Sequence, residues 1–410
     1  MKKKKYVVVL GDGMADEPLK ALSGKTPLEY ANTPALDRLS PLSEIGMVHT
    51  IPQGMKPGSD TANLSVLGYD PVKYYSGRSP LEALSIGVPM KDTDVALRCN
   101  IVTISDDDVP FEEKTIIDHS SGEISTEDCG VLLEAVKKEL ENETYRFFVG
   151  TSYRHCLIWN HGSVIELTPP HDVLGQVIGK YLPAEEDLLF MMKRSYEILA
   201  EHPINIERKK RGLNLANCCW FWGAGTKPAL SSFEEKTGLK GMMVSAVDLL
   251  KGIAAGAGMG VASVEGANGG LHTNYEGKVQ AAFDALKNGY DFAYIHVEAP
   301  DEMGHQGSVE KKVQAIEYLD QRVIGPLTKA LDEENMDYRL LVMPDHPTPI
   351  RVRTHTADSV PYLIYDSKEH KNESWHYNER EAAGSGNEIA PGHTLIDKFL
   401  GLKDQAAKFQ

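Results

Sequence analysis

The stretch FAYIHVE at residues 292–298 is a short, mostly apolar run that predicts a strand buried on both faces. It is followed closely by DEMGH at residues 301–305, which places a carboxylate and an imidazole just beyond the strand. In an open α/β sheet, functional groups collect beyond the carboxyl ends of the strands. This stretch therefore predicts both the fold class and the place in the fold where chemistry occurs.

A second strand end has the same character. The run RLLVMP at residues 339–344 leads into Asp345 and His346, and His355 follows a little further on. Carboxylates and imidazoles without cysteine are ligands that suit a borderline or hard divalent metal. The pattern favours a metal-dependent enzyme.

A third strand end lies near the N-terminus, where YVVVL at residues 6–10 ends at Gly11-Asp12-Gly13. The alternative for any one of these aspartates is an ordinary loop or helix-cap residue. Strands and helices alternate again through residues 240–344, which predicts a doubly wound, mostly parallel sheet. A sheet assembled from both ends of the chain would bring Asp12 to Asp301 and Asp345.

The pattern changes between these two parts of the chain. Residues 94–104 predict a strand, residues 125–141 a helix that begins with a capping box, and residues 145–159 and 163–167 a hairpin. We therefore predict that residues 94–226 form a smaller inserted α+β domain. Residues 1–93 and 227–410 would form the metal-binding core.

Composition limits the possible partners. The 410-residue chain is 41% hydrophobic and 25% charged, and its formal net charge is −16. Such a charge argues against a nucleic-acid or anionic-membrane partner. The apolar run after Lys5 is too short for a signal peptide, and no stretch approaches the roughly 20 apolar residues that span a bilayer. We expect a cytoplasmic protein, and the sequence leaves its oligomeric state open.

Cysteine usage agrees with a reducing compartment. The five cysteines are an odd, unevenly spaced set without a CxxC pair, which indicates neither a disulfide framework nor a zinc knuckle: Cys99, Cys129, Cys156, Cys218 and Cys219.

The candidate ligands outnumber the needs of one catalytic ion. Asp301 and His305 are four residues apart and can face one ion from a helical turn. Asp345 and His346 are adjacent, so we expect them to point apart. Six ligands suit a two-metal site with ions roughly 3.5–4 Å apart, as in phosphoryl transfer. Ser59, after Pro57-Gly58, is the candidate nucleophile, and its alternative role is a plain helix cap.

Taken together, the motifs resemble the alkaline phosphatase superfamily, and more closely the archaeal-type cofactor-independent phosphoglycerate mutases. The resemblance rests on motifs in this order: Gly11-Asp12-Gly13, Gly58-Ser59-Asp60, Asp301 with His305, Asp345-His346, and His355. It covers nearly the whole chain and includes three further motifs: Gly68-Tyr69-Asp70-Pro71, Arg98-Cys99-Asn100 and Trp222-Gly223-Ala224-Gly225.

The resemblance implies two divalent metal ions, Mn²⁺ or Mg²⁺ or alternatively Zn²⁺. One would be held by Asp301, His305 and His355, and the other by Asp12, Asp345 and His346 together with Ser59. It also implies a glycolytic isomerase that needs no 2,3-bisphosphoglycerate. Ser59 would take the phosphoryl group from 3-phosphoglycerate and return it to the 2-hydroxyl group of the retained glycerate.

The inserted domain resembles the family's substrate domain. The resemblance implies that this domain binds a small phosphorylated substrate through cationic side chains and closes over the core. Arg98 and Arg154 match arginines of that domain, Lys227 stands where a basic residue is usual, and Arg78 is a further candidate for binding substrate. For each of them the alternative is a surface ion pair.

Two departures from the family pattern leave the substrate open. Asn63 stands where the family often has histidine four residues after the serine, and DHSSG at residues 118–122 stands where mutases tend to have Asp-Arg-Arg before a glycine. A bacterial branch that resembles these variants is proposed to act as a homoserine kinase. A phosphatase or phosphodiesterase on the same scaffold also fits these residues, as does a purely structural metal-binding protein. His296, within the predicted strand, is expected to be a satisfied core residue.

Overall fold

The computed structural model describes residues 3–402 and divides the chain into two compact units. The first unit combines the chain up to Tyr75 with the chain from Ala229 onwards, and the second is Ser76–Pro228. Residues 76–93, which the sequence prediction placed in the core, group with the second unit. The reason is packing, because side chains from residues 83–90 form one apolar cluster with Ala96 and Ile158 of that unit's sheet.

Within residues 3–402 the strands are as follows: β1 (Lys5–Gly11), β2 (Ser43–Val48), β3 (Asp94–Ile104), β4 (Ile116–Asp118), β5 (Tyr145–Thr151), β6 (Arg154–Asn160), β7 (Cys218–Thr226), β8 (Gly241–Val244), β9 (Gly260–Val261), β10 (Phe292–Val297), β11 (Tyr338–Met343), β12 (Val360–Asp366) and β13 (Glu388–Ile389).

The α-helices of the same residues are as follows: α1 (Pro27–Tyr30), α2 (Pro34–Leu39), α3 (Ser59–Val66), α4 (Pro71–Tyr74), α5 (Arg78–Ser85), α6 (Thr126–Leu140), α7 (Glu186–Ala200), α8 (Pro203–Lys210), α9 (Phe233–Thr237), α10 (Asp248–Gly256), α11 (Tyr275–Lys287), α12 (Ala299–His305), α13 (Val309–Tyr318), α14 (Gly325–Glu333), α15 (Glu379–Gly384) and α16 (Leu395–Leu400). A π-helical turn, Leu319–Ile324, joins α13 to α14. No helix in this part of the chain is both long and apolar enough to cross a membrane.

The first unit contains an eight-stranded sheet in the order β13-β2-β12-β11-β1-β10-β8-β9. The strands β11, β1, β10, β8 and β9 run parallel to one another, and β12 is antiparallel to both of its neighbours. The predicted α/β fold with a mostly parallel sheet is confirmed. β1, from the N-terminus, lies between β10 and β11, so both ends of the chain build the centre of the sheet.

Both faces of the central strands are buried, which explains their continuous apolar sequences. Val7 and Val9 of β1 belong to a core cluster that also contains residues of α2, α11 and α14. Val8 and Leu10 point to the opposite face and are equally inaccessible to solvent. Helices therefore cover both faces, as in a doubly wound sheet.

The second unit is built on an antiparallel sheet in which β3 pairs with β4, β6 and β7, and β6 pairs with β5. The predicted strand at residues 94–104 and helix near residues 125–141 are confirmed. The predicted hairpin across residues 160–162 is wrong. The turn lies between β5 and β6, where Ser152 adopts a left-handed φ of 55°, and residues 163–167 form no strand.

Candidate active site

Three adjacent parallel strands carry the three predicted aspartates to one edge of the sheet. Asp12 follows β1, Asp345 follows β11, and Asp301 lies in α12, just after β10. The backbone N–H of Gly13 donates to Asp345 Oδ1 at 3.1 Å. Gly13 has a φ of +60°, and a Cβ atom added there would lie 2.8 Å from Asp301 Cα. Glycine at this position therefore permits the close approach of the chain after β1 to the chain after β10.

One cluster is formed by Asp12, Asp345 and His346, whose ligand atoms all lie within 4.8 Å of one another. His346 Nε2 lies 3.6 Å from Asp12 Oδ1 and 3.4 Å from Asp345 Oδ2. All three side chains are buried. The cluster joins residues from opposite ends of the chain.

A second cluster is formed by Asp301, His305 and His355. His305 Nε2 lies 3.1 Å from both Asp301 Oδ2 and His355 Nε2, and His355 Nε2 lies 3.5 Å from Asp301 Oδ1. His305 Nδ1–H donates to the backbone carbonyl of Arg353 at 3.0 Å. That bond leaves Nε2 as the ring nitrogen directed into the cluster.

His346 also groups with two members of the second cluster, Asp301 and His355, so it connects the two clusters. The expectation that Asp345 and His346 point apart is therefore wrong. Adjacent side chains diverge on an extended strand, but β11 ends at Met343 and the backbone bends at both residues. The bend lets the two side chains converge.

Ser59 is the first residue of α3, and its Oγ lies 3.1 Å from His346 Nε2. Ser59 does not occupy the N-cap position of this helix, which is Gly58. All seven residues predicted from sequence to hold metal or to act as nucleophile thus lie together at this edge of the first unit.

Sequence reasoning missed the role of His296. Its ring is fully buried and satisfied, as predicted, but its Nε2 lies 2.9 Å from Asp12 Oδ2 and its Nδ1 lies 3.2 Å from Ser245 Oγ. His296 therefore orients a candidate metal ligand from a neighbouring strand. The available signal was its polar ring inside the apolar run of β10, one strand away from Asp12.

The electrostatics of the site reflect crowded negative charge. Burial, followed by the charges of Asp345 and Asp301, raises the pKa of the Asp12 carboxyl well above its ordinary value. Burial also works to raise the pKa of Asp301, but hydrogen bonds from His305 and His355 outweigh it and hold that pKa below its ordinary value. The same bond from Asp301 raises the pKa of His305 to about 9. Burial lowers the pKa of His346.

The donor set fits divalent cations. Within the described residues, Asp12 Oδ1 is buried and has no hydrogen-bond partner, which is costly unless a cation approaches it. Three carboxylates and three imidazoles without a thiolate suit Mn²⁺, Mg²⁺ or Zn²⁺. The two groupings, with His346 between them, offer ligands for two ions.

The cationic residues predicted to bind substrate lie in the second unit, and three of them, Arg78, Arg98 and Lys227, have acidic partners there. Arg98 forms a two-pronged ion pair with Glu82, and its guanidinium lies 4.4 Å from the centre of the Trp222 ring. Arg78 Nε donates to the same carboxylate at 2.8 Å.

The other two cations are closer to solvent. Lys227 Nζ lies 3.1 Å from Asp92 Oδ1, in an exposed pair. Arg154 is exposed and lies over the ring of Tyr153, with 5.4 Å between guanidinium carbon and ring centre.

The loop that departs from the family pattern folds onto its own aspartate. Asp118 accepts hydrogen bonds from the backbone N–H groups of Ser120 and Gly122 and from the side chain of Asn214. His119 packs edge-on against Tyr153 and His171. This loop therefore presents an imidazole where the mutase pattern has guanidinium groups.

The fold and the site define the class of the protein: an α/β protein with a mostly parallel sheet and two clusters of carboxylates and histidines at the carboxyl edge of that sheet. The family model described as 2,3-bisphosphoglycerate-independent phosphoglycerate mutase matches residues 42–205. A protein of that name from Methanosarcina barkeri is 46% identical over 387 residues, which cover 93% of this chain and 95% of the relative. The chain belongs to the 2,3-bisphosphoglycerate-independent phosphoglycerate mutase family.

Solved structures agree with this assignment. A protein from Pyrococcus horikoshii has a TM-score of 0.82 and 31% identity, with 98% of each chain covered. The cofactor-independent phosphoglycerate mutase from Thermoplasma acidophilum has a TM-score of 0.66 and 27% identity, over 97% of this chain and 99% of that chain.

Proposed function

We propose that the protein is a metal-dependent phosphoglycerate mutase that interconverts 3- and 2-phosphoglycerate through a phosphoserine at Ser59. The observation that carries this proposal is the 3.1 Å distance between Ser59 Oγ and His346 Nε2, because His346 connects the two clusters. A nucleophile candidate thus lies at the junction of two candidate metal sites. Family membership supplies the substrate class.

In the first half-reaction, Ser59 Oγ attacks the phosphorus of 3-phosphoglycerate. A bond forms between Oγ and phosphorus while the bond from phosphorus to the 3-oxygen breaks, which leaves phosphoserine and glycerate. In the second half-reaction, the 2-hydroxyl oxygen of the retained glycerate attacks the same phosphorus and releases Ser59. No phosphate is lost and no 2,3-bisphosphoglycerate is needed.

We propose Asp301, His305 and His355 as the ligands of one ion and Asp12, Asp345 and His346, with Ser59, as the ligands of the other. Two bound divalent cations would stabilise negative charge on the transferring group and favour ionisation of the serine hydroxyl. Burial lowers the pKa of His346, which favours the neutral ring that serves as a ligand or hydrogen-bond acceptor. His296 orients the Asp12 carboxylate through a hydrogen bond between Nε2 and Oδ2.

We propose that the unit Ser76–Pro228 binds the part of the substrate that is not transferred, through Arg78, Arg98, Arg154 and Lys227. Arginine suits this role because its planar fork matches carboxylate and phosphate groups.

The loop at residues 118–122 favours a second candidate, a phosphotransferase with a different acceptor such as homoserine. The imidazole of His119 lacks the planar fork with which the arginines of the mutase pattern bind anions. The sequence contains no GxxxxGK[ST] loop for a nucleotide donor, which argues against this candidate. A phosphatase, with water as the acceptor, would use the same core.

One parallel assay tests these candidates. Manganese-loaded protein is offered 3-phosphoglycerate without 2,3-bisphosphoglycerate and, separately, homoserine with ATP. The mutase predicts formation of 2-phosphoglycerate and a trapped phosphoserine at Ser59. Phosphohomoserine as the sole product would replace the mutase by the kinase, and inorganic phosphate as the main product would replace it by a phosphatase.

A further inference from the structure

Asn63 lies on the same face of α3 as Ser59, one turn further along the helix, and is completely buried. Its side-chain amide makes three hydrogen bonds. Nδ2 donates to the carbonyl oxygen of Ser59 at 2.8 Å and to Asp345 Oδ2 at 2.9 Å, while Oδ1 accepts from the hydroxyl group of Tyr294 at 2.5 Å. A single amide thus joins the helix of the candidate nucleophile to β10 and to the end of β11.

The amide has only one orientation that satisfies these neighbours. Rotating it by half a turn would place Oδ1 against the carboxylate of Asp345 and the carbonyl of Ser59, both of which can only accept hydrogen bonds. In the observed orientation every polar atom of the Asn63 side chain is paired. A buried and fully paired network of this kind specifies one arrangement of its members.

Asp345 depends on this network for the placement of its second oxygen. Its Oδ1 accepts from the backbone N–H groups of Gly13 and His346, at 3.1 and 2.9 Å. Its Oδ2, which faces His346 Nε2, accepts from Asn63. Removing the amide would leave Oδ2 free to turn away from the cluster.

We propose that Asn63, held by Tyr294, is the positioning residue that fixes Ser59 relative to the Asp12–Asp345–His346 cluster. This inference rests on the proposed function, since it assumes that the cluster binds a divalent cation and that Ser59 accepts the phosphoryl group. Asn63 acts through Asp345 and Ser59. It is expected to set the cation affinity of one cluster without affecting the other.

The main variant is Asn63→Leu, which keeps the branched shape and the number of side-chain heavy atoms and removes the amide. Mn²⁺ binding is measured by calorimetric titration of the full-length protein in a His355→Ala background, which removes a ligand from both groupings that contain Asp301 and leaves the Asp12–Asp345–His346 cluster complete. Loss of an outer hydrogen-bond partner typically weakens metal binding by about 10–100-fold. We expect a loss in this range. In the complementary Asp12→Asn background, Asn63→Leu should leave the remaining Mn²⁺ affinity unchanged.

The matched control is Asn205→Leu in the second unit. Asn205 is also buried, and its Nδ2 donates two hydrogen bonds while its Oδ1 accepts one. This variant should lower the free energy of unfolding by a similar amount and leave Mn²⁺ binding unchanged. An equal loss of Mn²⁺ affinity in both variants would overturn the proposal, because the effect would then be general destabilisation.

Tyr294→Phe gives a second, milder test because it keeps the ring and removes only the hydroxyl group. We expect a smaller loss of Mn²⁺ affinity. The double variant Asn63→Leu/Tyr294→Phe should lose no more than Asn63→Leu alone, since Tyr294 acts through Asn63. Additive losses would overturn the assigned link between the two residues.

The rate of phosphoserine formation supplies a readout on Ser59. At saturating Mn²⁺, Asn63→Leu should lower kcat and the rate of Ser59 phosphorylation while leaving KM for 3-phosphoglycerate unchanged. Wild-type Mn²⁺ affinity together with a wild-type phosphorylation rate in this variant would overturn the inference alone. Failure of the wild-type protein to bind Mn²⁺ or to form phosphoserine would overturn the proposed function and this inference with it.

Discussion

The two units differ in whether their charged residues have partners of opposite charge. At the sheet edge of the first unit, three carboxylates converge and Asp12 Oδ1 has no hydrogen-bond partner among the described residues. In the second unit, Arg98 and Lys227 are paired with Glu82 and Asp92. The first region has excess negative charge that a cation can satisfy, whereas Arg98 and Lys227 of the second already have acidic partners.

The difference in charge pairing distinguishes two kinds of candidate binding region. Uncompensated buried charge is costly to the folded protein, and such cost persists at sites where an external ligand removes it. A pair such as Arg98 with Glu82 is satisfied within its own unit, so binding an anionic substrate there means exchanging one partner for another. Variants at the sheet edge should therefore have larger effects than variants in the second unit.

The largest effect is expected for Ser59→Ala. Loss of a covalent nucleophile should lower kcat on the order of 10⁴-fold or more and abolish phosphoserine. The measurement is interconversion of phosphoglycerates together with intact-protein mass. Ser65→Ala in the same helix is the control, because Ser65 Oγ bonds only the carbonyl of Thr50. Substantial turnover in Ser59→Ala would remove the serine from the mechanism.

The next largest effect is expected for Asp12→Asn. This variant should weaken Mn²⁺ binding and, at the same time, stabilise the metal-free protein. Mn²⁺ affinity should fall by more than the ~10–100-fold typical of an outer hydrogen-bond partner. Because folding raises the pKa of Asp12, keeping this carboxyl ionised at neutral pH opposes folding of the metal-free protein. Removing the charge should therefore raise its free energy of unfolding in chelator.

Asp301→Asn is the matched comparison for Asp12→Asn. Folding lowers the pKa of Asp301, so its ionised form stabilises the fold above the unfolded-state pKa. This variant should lose about 1.5–3 kcal/mol of stability in chelator, as expected for hydrogen bonds to a charged group. If Asp12→Asn destabilised the metal-free protein equally, the picture of excess charge at this edge would be wrong.

A smaller effect is expected from pH. The pKa of His305 is raised to about 9 in the metal-free fold, so a metal must displace its proton below that pH. Mn²⁺ affinity should rise by up to about tenfold per pH unit between pH 7 and 8.5. The contribution of His305 to stability is complete below its unfolded pKa, about 6.5, and disappears as pH rises through 9.

His305→Gln should abolish both of these pH dependences. Calorimetric titrations and urea unfolding across pH 6 to 10 measure them. If Mn²⁺ affinity and stability depended on pH in His305→Gln as they do in the wild-type protein, the proton would belong to another group of the site.

The smallest effect is expected for Glu82→Gln in the second unit. Arg98 would lose its carboxylate partner and become available to an anionic substrate. The energy of a partly exposed ion pair is about 0.2–1 kcal/mol, so KM for 3-phosphoglycerate should fall by a factor of up to about five. Asp92→Asn, which releases Lys227, is the matched comparison. A raised KM in Glu82→Gln would show that the pair itself positions Arg98.

The sequence predicted the elements of the sheet well because their signals are local. Each central strand is a continuous apolar run, and β1, β10 and β11 were placed within one residue of their observed ends. The hairpin was misplaced because the run at residues 145–159 hides a tight turn at Ser152, whose left-handed backbone has no clear marker in a serine.

The assembly of the site was only partly predictable. Strand-end aspartates and the family motifs placed seven residues at one edge, where the structure also has them, but the link that His346 forms between the two clusters depends on a bend after β11 that local sequence does not encode. Asn63 was noted only as a departure from a pattern. Its three partners lie on α3, β10 and beyond β11, so their meeting became visible only in the fold.

The sequence by itself predicted the fold class and the candidate ligand types, because these follow from apolar periodicity and from residues at strand ends, and its motifs resembled those of the family. Only the tertiary structure decided which candidate ligands lie together, which groups surround Ser59 and which cations already have partners. The physical reason is that these are matters of distance between side chains far apart in the chain. Such distances are set by the packing of the whole sheet.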